Sequence, residues 1–202
     1  MEADWEVEIG GGAPVIEVLW PGFVDLRAAP ERIVEIAEAA AFPPLAGLLL
    51  ALNAPESPVW TSKCDRWEPE PGALGIYIDM LPREGELFAE WGQAEAFCRE
   101  YVSRLGSIAF PECGGEPGSE WGEDSSAGMG PAYTFDLVIR AAVADRSEGF
   151  GITAYLGARA VTPAEKAAGR MTAAEVLAGA MAGFQNALPP AGPPATAGSK
   201  LQ

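Results

Sequence analysis

The densest group of chemically versatile side chains lies in residues 61–68, Thr-Ser-Lys-Cys-Asp-Arg-Trp-Glu. A cation beside a thiol lowers its pKa and makes it more nucleophilic. Lys63 and Arg66 therefore make Cys64 a candidate reactive cysteine. The competing interpretation is a charged edge strand, protected from aggregation, in which Cys64 is a buried and inert core residue.

Residues 59–67 have the composition of a β-strand, and alternation along a strand places neighbouring side chains on opposite faces. The pattern predicts one face with Trp60, Ser62, Cys64 and Arg66 and an opposite face with Thr61, Lys63, Asp65 and Trp67. We expect the aromatic and charged members to form a binding surface: Trp60, Lys63, Arg66 and Trp67.

Two acidic residues interrupt otherwise apolar strands. Asp79 lies in Gly-Ile-Tyr-Ile-Asp-Met-Leu, and Asp136 lies in a later alternating segment, four residues before Arg140. Together with Asp65 they could supply the oxygen ligands that magnesium or calcium prefers. Ordinary surface carboxylates explain them equally well, and no calcium-loop spacing is present. We therefore predict no metal or cofactor and keep Cys64, Asp65 and Asp79 as the candidate catalytic residues.

Histidine is absent from the whole sequence. Its absence excludes the Ser-His-Asp and Cys-His arrangements of nucleophilic catalysis and removes the commonest general base. Most catalytic zinc and non-haem iron sites are excluded for the same reason. The sequence also lacks the phosphate-binding loop and the nucleophile-elbow motif. These exclusions favour a binding protein over an enzyme.

The charge is strongly negative and unevenly distributed. The net charge is −16, and residues 1–128 hold 24 acidic and 7 basic side chains, a net of −17. Such a field repels nucleic acid and anionic membranes and attracts a basic protein. The competing interpretation is that the acidity only keeps the protein soluble.

A segment rich in Gly, Pro, Ser and Glu, residues 106–131, is predicted to be a long acidic loop. Within it Trp121 lies among Glu120, Glu123 and Asp124. An aromatic anchor surrounded by acidic residues is a candidate contact for a basic partner. A solvated insertion without a binding role is the alternative.

Alternating and helical patterns divide the chain into three strand pairs and their helices. The predicted strand pairs cover residues 4–9 with 14–19, 59–67 with 74–81, and 133–143 with 150–161. Helices are predicted from Pro30 onward, over residues 44–52, over 86–105, and up to Leu188. Consecutive strand pairs imply antiparallel pairing. We therefore predict one α+β domain over residues 1–188, a mainly antiparallel sheet of about six strands covered by helices on one face. Residues 189–202 are predicted to be a flexible tail.

The function that these patterns favour is a non-enzymatic, acidic binding protein, of the inhibitor or immunity type, that occupies a basic partner. No apolar run is long enough to span a membrane, and the acidic start differs from a secretory signal, so we expect a cytoplasmic protein. The alternative is a ligand-binding domain or enzyme with a pocket near Cys64 and Asp79. A third reading makes the apolar face of the helix over residues 86–105 an oligomer interface.

Overall fold

The structure, a computed structural model, describes residues 4–8, 15–69, 72–85, 87–107, 133–144, 146–159 and 172–189. These residues form an α+β fold with one mixed sheet. Its strands are β1 (Asp4–Glu8), β2 (Ile16–Val18), β3 (Val59–Trp67), β4 (Leu74–Pro82), β5 (Tyr133–Ala144) and β6 (Ser147–Ala158). Along the sheet the order is β1, β5, β6, β4, β3, with β2 also bonded to β5.

The N-terminal strands correct the predicted topology. β1 pairs in parallel with Asp136 to Arg140 of β5, and β2 pairs in parallel with Ala142 to Ala144. The two short strands thus lie end to end along one edge of β5, so six strand segments fill five positions. The expected N-terminal hairpin and the mainly antiparallel sheet are therefore wrong. The physical reason is that β5, at 12 residues, offers an edge long enough for both segments.

The other two predicted strand pairs are confirmed. β3 pairs antiparallel with β4, and β5 pairs antiparallel with β6. β4 and β6 also pair antiparallel, which joins the two hairpins into one sheet. Among the described residues β3 is bonded only on the β4 side, so it is an edge strand of this sheet.

Helices pack on one face of the sheet. They are a 3-10 helix (Pro30–Glu35), α1 (Ala37–Ala41), α2 (Pro43–Asn53), α3 (Trp91–Ser107) and α4 (Ala173–Ala187). Every second residue of the central strands joins them in the main core, as Ile76, Ile78 and Met80 of β4 show. The apolar face of α3 is buried in this core, since Ala94 and Cys98 are both 0% exposed. This burial contradicts its use as an oligomer interface.

Local sequence explains where two helices begin. Thr172 and Glu175 form the capping box of α4: the Thr172 hydroxyl accepts from the Glu175 amide, and the Glu175 carboxylate accepts from the Thr172 amide. α3 begins at Trp91, later than predicted, because Phe88 forms a bridge with Phe150 of β6. The backbone of Phe88 is therefore committed to the sheet and cannot join the helix.

Part of the predicted organisation lies outside the described residues. This applies to residues 108–131 of the acidic loop and to residues 190–202 of the tail. The contact predicted from the sequence for a basic partner therefore stays a prediction; its residues are Trp121, Glu120, Glu123 and Asp124. Within the described part, no helix is long and apolar enough to cross a membrane.

Two polar side chains fasten the end of α2 to β3. The Asn53 amide donates to the Leu49 carbonyl and to the Thr61 hydroxyl, and its oxygen accepts from the Thr61 amide. The Arg83 guanidinium donates to the carbonyls of Asn53, Ala54 and Ser57 at 2.6–2.9 Å. A cation at the C-terminal end of a helix satisfies its last carbonyls and opposes its dipole. This junction fixes one wall of the site described below.

Replacing Arg83 is therefore expected to destabilise the fold. Arg83→Met keeps the apolar stem and removes the guanidinium donors from the part-buried carbonyls of Asn53 and Ser57, which should lower the free energy of unfolding by about 2 kcal/mol. Arg32→Met is the control, because Arg32 pairs with Glu35 where both side chains are nearly half exposed, and it should cost under about 0.5 kcal/mol. Urea unfolding measures both variants. Equal losses in the two variants would contradict the role given to Arg83.

Candidate functional site

A one-residue bulge in β3 determines which side chains form the candidate site. Thr61 lies opposite Met80 and Lys63 opposite Asp79, so Ser62 is an extra residue without a partner in β4. A bulge of this kind reverses the alternation that follows it. The two faces predicted from strict alternation are therefore wrong beyond Ser62.

The reversal brings different side chains together. Trp60 now shares the open face, the face without helices, with Lys63, Asp65 and Trp67. The helix-covered face holds Val59, Thr61, Cys64 and Arg66. The contacts agree: Cys64 packs on the main core, and the Arg66 guanidinium lies 5.9 Å from the Phe42 ring centroid.

A cleft of about 410 Å³ follows the outer edge of β3. Residues from both faces of the strand line it, Lys63 from the open face and Cys64 from the helix-covered face, so it wraps around the strand edge. Residues 20–26 and 35–38 form the opposite wall, with Leu49 of α2 below. The Trp20 indole N–H donates to the Ser62 carbonyl at 3.0 Å and ties this wall to the bulge.

Ser62 has an unusual environment at the cleft. Its side chain is 4% exposed, and its hydroxyl oxygen makes no hydrogen bond to the residues that the structure describes. Buried hydroxyl groups are nearly always hydrogen-bonded, because an unpaired one loses its water without compensation. Ser57, equally buried, follows this rule and bonds to both backbone groups of Val59. Ser62 is thus a polar group of the cleft whose bonding capacity is unused.

Negative charge dominates the cleft lining. Glu35, Glu38 and Asp65 line it, and Lys63 supplies the positive charge. The Lys63 ammonium lies 6.0 Å from the Tyr77 ring centroid, and its interaction with the Tyr77 hydroxyl raises the pKa of Lys63. Glu35 pairs with Arg32, whereas Glu38 and Asp65 form no ion pair within the described part of the chain. The cleft therefore suits a cation better than an anion.

The electrostatics at Cys64 confirm the sign of this field. Burial raises the pKa of the Cys64 thiol, and together with smaller contributions from the charges of Glu38, Asp65 and Asp79 it brings that pKa to about 12. This direction is opposite to the lowering that Lys63 and Arg66 were expected to cause. The thiol of the folded protein is thus protonated at neutral pH, which supports the inert rather than the reactive interpretation.

A buried polar cluster lies beside the cleft on the open face. The Thr153 hydroxyl donates to the Asp79 carboxylate at 2.6 Å, and Lys63 lies opposite Asp79 in the adjacent strand. Burial raises the pKa of Asp79, although the Thr153 bond and the charges of Arg140 and Lys63 oppose the rise. Arg140 in turn donates to the Tyr155 hydroxyl at 2.8 Å. Lys63 belongs to both the cleft and this cluster.

Three aromatic rings continue the open face toward its other end. Trp67 packs against Tyr77 and Tyr155, with ring centroids 6.3 and 6.4 Å away. The Trp67 ring lies directly over Gly75, where a Cβ atom would come within 2.4 Å of it. Glycine at this position lets the indole cover the strand, and 38% of Trp67 stays exposed.

The structure brings together only part of the predicted site. Lys63, Cys64 and Asp65 line the cleft, and Asp79 is adjacent to them. Trp60 is buried beneath the Arg27 guanidinium, which lies 3.7 Å from its ring centroid.

Two further predicted positions lie apart from the cleft. Arg66 pairs with Glu68 at 3.4 Å, and Trp67 belongs to the aromatic group on the open face. Asp136 lies opposite Tyr155 in β6, and the described residues contain no group of three or more acidic or cysteine side chains arranged to hold a metal ion.

The sequence analysis did not predict that Trp20 and Glu38 line the cleft, and it gave Ser62 no role there. Trp20 is 42 positions from Ser62, and no local pattern links them. A tryptophan next to Pro21-Gly22 was the available signal, because a turn often returns an aromatic side chain to the core.

Comparison of the chain with family models, curated proteins and solved structures gives no significant match. We therefore infer the function from the geometry and charge of the site.

The high pKa of Cys64 predicts slow alkylation. At about pH 8 the thiolate fraction of Cys64 should be on the order of 10³ times smaller in the folded than in the unfolded protein, given an ordinary thiol pKa of about 8.5. Iodoacetamide labelling with peptide mass spectrometry, in buffer and in urea, measures both rates. Cys98, whose pKa burial also raises to about 12, is the internal control. Labelling of folded Cys64 at the unfolded rate would contradict this environment.

The raised pKa of Asp79 predicts a specific pH dependence. The folded state holds the Asp79 proton more tightly than the unfolded state, so protonation stabilises the fold as pH falls toward the ordinary carboxyl pKa. Relative to Asp79→Asn, the wild type should gain unfolding free energy between neutral pH and about pH 4. Urea unfolding at several pH values tests this, with Asp65→Asn as the control for loss of one exposed carboxylate. An unfolding free energy of the wild type minus that of Asp79→Asn that stays constant or falls on acidification would oppose the prediction.

Proposed function

We propose that this protein is a non-enzymatic, acidic binding protein that occupies a basic protein partner, in the manner of an inhibitor or immunity protein. The observation that carries the proposal is the cleft at the edge of β3. Its carboxylates Glu38 and Asp65 have no ion-pair partner within the described part of the chain, and they outnumber its ammonium group, Lys63.

The rest of the described surface supports the same partner chemistry. Arginines pair with neighbouring carboxylates, as Arg99 does with Glu95 at 2.7 Å and Arg104 with Glu100 at 3.0 Å. Because each of these arginines is paired with a carboxylate, it adds little positive potential at the protein surface. An acidic surface raises the association rate with a basic protein and disfavours nucleic acid and anionic lipid. A cytoplasmic location is part of this proposal, and Trp121 with its acidic neighbours is a second predicted contact.

A ligand-binding domain or enzyme is the second candidate, because the size of the cleft favours it. The cleft volume of about 410 Å³ lies in the range of small-molecule sites. The protonated state of Cys64 removes the most reactive nucleophile from this candidate. A reproducible rise in melting temperature with one class of metabolite would favour it over the protein partner.

The primary test is affinity capture on the immobilised full-length chain. Lysate of the source cells is applied at about 50 and 300 mM NaCl, and retained proteins are identified and then purified. The proposal expects a basic protein that binds in a saturable way and more weakly at the higher salt concentration. Glu38→Gln with Asp65→Asn should weaken its binding about tenfold, because two negative charges leave the contact.

The matched control is Glu31→Gln with Glu90→Gln, which removes the same charge outside the cleft and should change affinity less than about threefold. Failure to retain any basic protein at either salt concentration would contradict the proposed function.

A further inference from the structure

We propose that the cleft along β3 receives the terminal cation of a lysine or arginine side chain from the basic partner, with the Ser62 hydroxyl and the Glu38 carboxylate as acceptors. This inference rests on the proposed function, since it names the place where the partner engages and the chemistry of the contact.

The unused hydroxyl of Ser62 is the first observation. A buried polar group normally has a partner, as Ser57 has through Val59, yet the Ser62 oxygen has none in the described structure. The bulge places Ser62 in the lining of the cleft. A donor entering from the cleft would supply the missing hydrogen bond.

The charge of the lining determines which donor fits. Glu38 and Asp65 repel an anion, and the one positive charge of Lys63 does not balance the carboxylates of the lining. Ammonium and guanidinium groups are pure donors and match carboxylate and hydroxyl acceptors. Trp20 and Tyr77 also line the cleft, and aromatic faces attract cations. The lining thus combines the elements that recognise a cationic side chain.

The position of the cleft favours a side chain from a protein over a free amine. The cleft wraps around an edge strand, and the edge of a sheet is a common place for an extended peptide to bind. Its volume of about 410 Å³ exceeds the needs of one amine and suits a short peptide segment. The Ser62 oxygen is shielded from water, so the incoming cation must displace a neighbouring side chain slightly. Trp20, bonded to the adjacent Ser62 carbonyl, is the neighbour that we expect to move.

The test uses a fluorescent peptide, acetyl-Lys-Gly-Lys-Gly-Lys-Gly-Lys-amide, and the same peptide with every lysine acetylated. Fluorescence anisotropy at about 20 mM NaCl measures binding to the full-length protein. The unmodified peptide should bind and the acetylated peptide should not, because acetylation removes the cation and its donors. Glu38→Gln and Ser62→Ala should each weaken binding about fivefold or more, and Glu31→Gln less than about twofold.

Ser57→Ala separates binding from folding. It removes a satisfied hydrogen bond and should lower thermal stability while leaving peptide affinity unchanged. Ser62→Ala removes an unpaired hydroxyl and should lose affinity without losing thermal stability.

Three outcomes would overturn the inference. Equal weakening by Glu31→Gln and Glu38→Gln would indicate a general charge effect, and unchanged affinity in Ser62→Ala would remove its role. Competition by cadaverine as effective as that of the peptide would assign the cleft to a free amine. The two proposals fail separately: a captured basic protein that binds Glu38→Gln and Ser62→Ala like the wild type would overturn only this inference. If neither peptide nor basic protein binds the wild type, both fail.

Discussion

The bulge at Ser62 is the constraint on which the rest of the site depends. It lets Trp60 and Lys63 share the open face of the sheet although their spacing in a regular strand would separate them. Two residues hold it in place: Asn53 fastens Thr61 to the end of α2, and Trp20 donates to the Ser62 carbonyl. Helix, loop and strand therefore meet at this residue, and the cleft is the space that they leave beside the strand.

The distribution of charge gives this cleft its character. Described cations are mostly used within the fold, on carboxylates, backbone carbonyls or tyrosine hydroxyls, as Arg27, Arg83 and Arg140 illustrate. Carboxylates are more numerous, so a negative excess stays at the surface. Inside, burial raises the pKa of both Cys64 and Asp79, and the charges of Glu38, Asp65 and Asp79 add to the rise at Cys64. Acidity is thus a property of the cleft as well as of the composition.

Local patterns predicted the elements better than their arrangement. The capping box at Thr172 and the alternation in β5 and β6 identified α4 and the second hairpin, because their causes lie within a few residues. The parallel pairing of β1 and β2 with β5 depends on an edge more than 100 residues away in sequence, which no local pattern encodes.

In the candidate site, too, features set by nearby residues could be predicted and features set by distant residues could not. The dense polar segment identified Lys63, Cys64 and Asp65. The bulge, set by contacts from Asn53 and Trp20, could not be predicted from the sequence and changed the environment of every side chain after it. Glu38 was missed because its segment carries no distinctive pattern.

The most direct test of the central claim is amide hydrogen exchange of the full-length protein with and without the captured basic partner. If the partner binds in the cleft along β3, the amides of residues 62–65 and 20–26 should exchange more slowly in the complex, because these residues line the cleft. Slower exchange confined to α3 or β6, with the β3 edge unchanged, would contradict binding in the cleft and place the binding surface elsewhere.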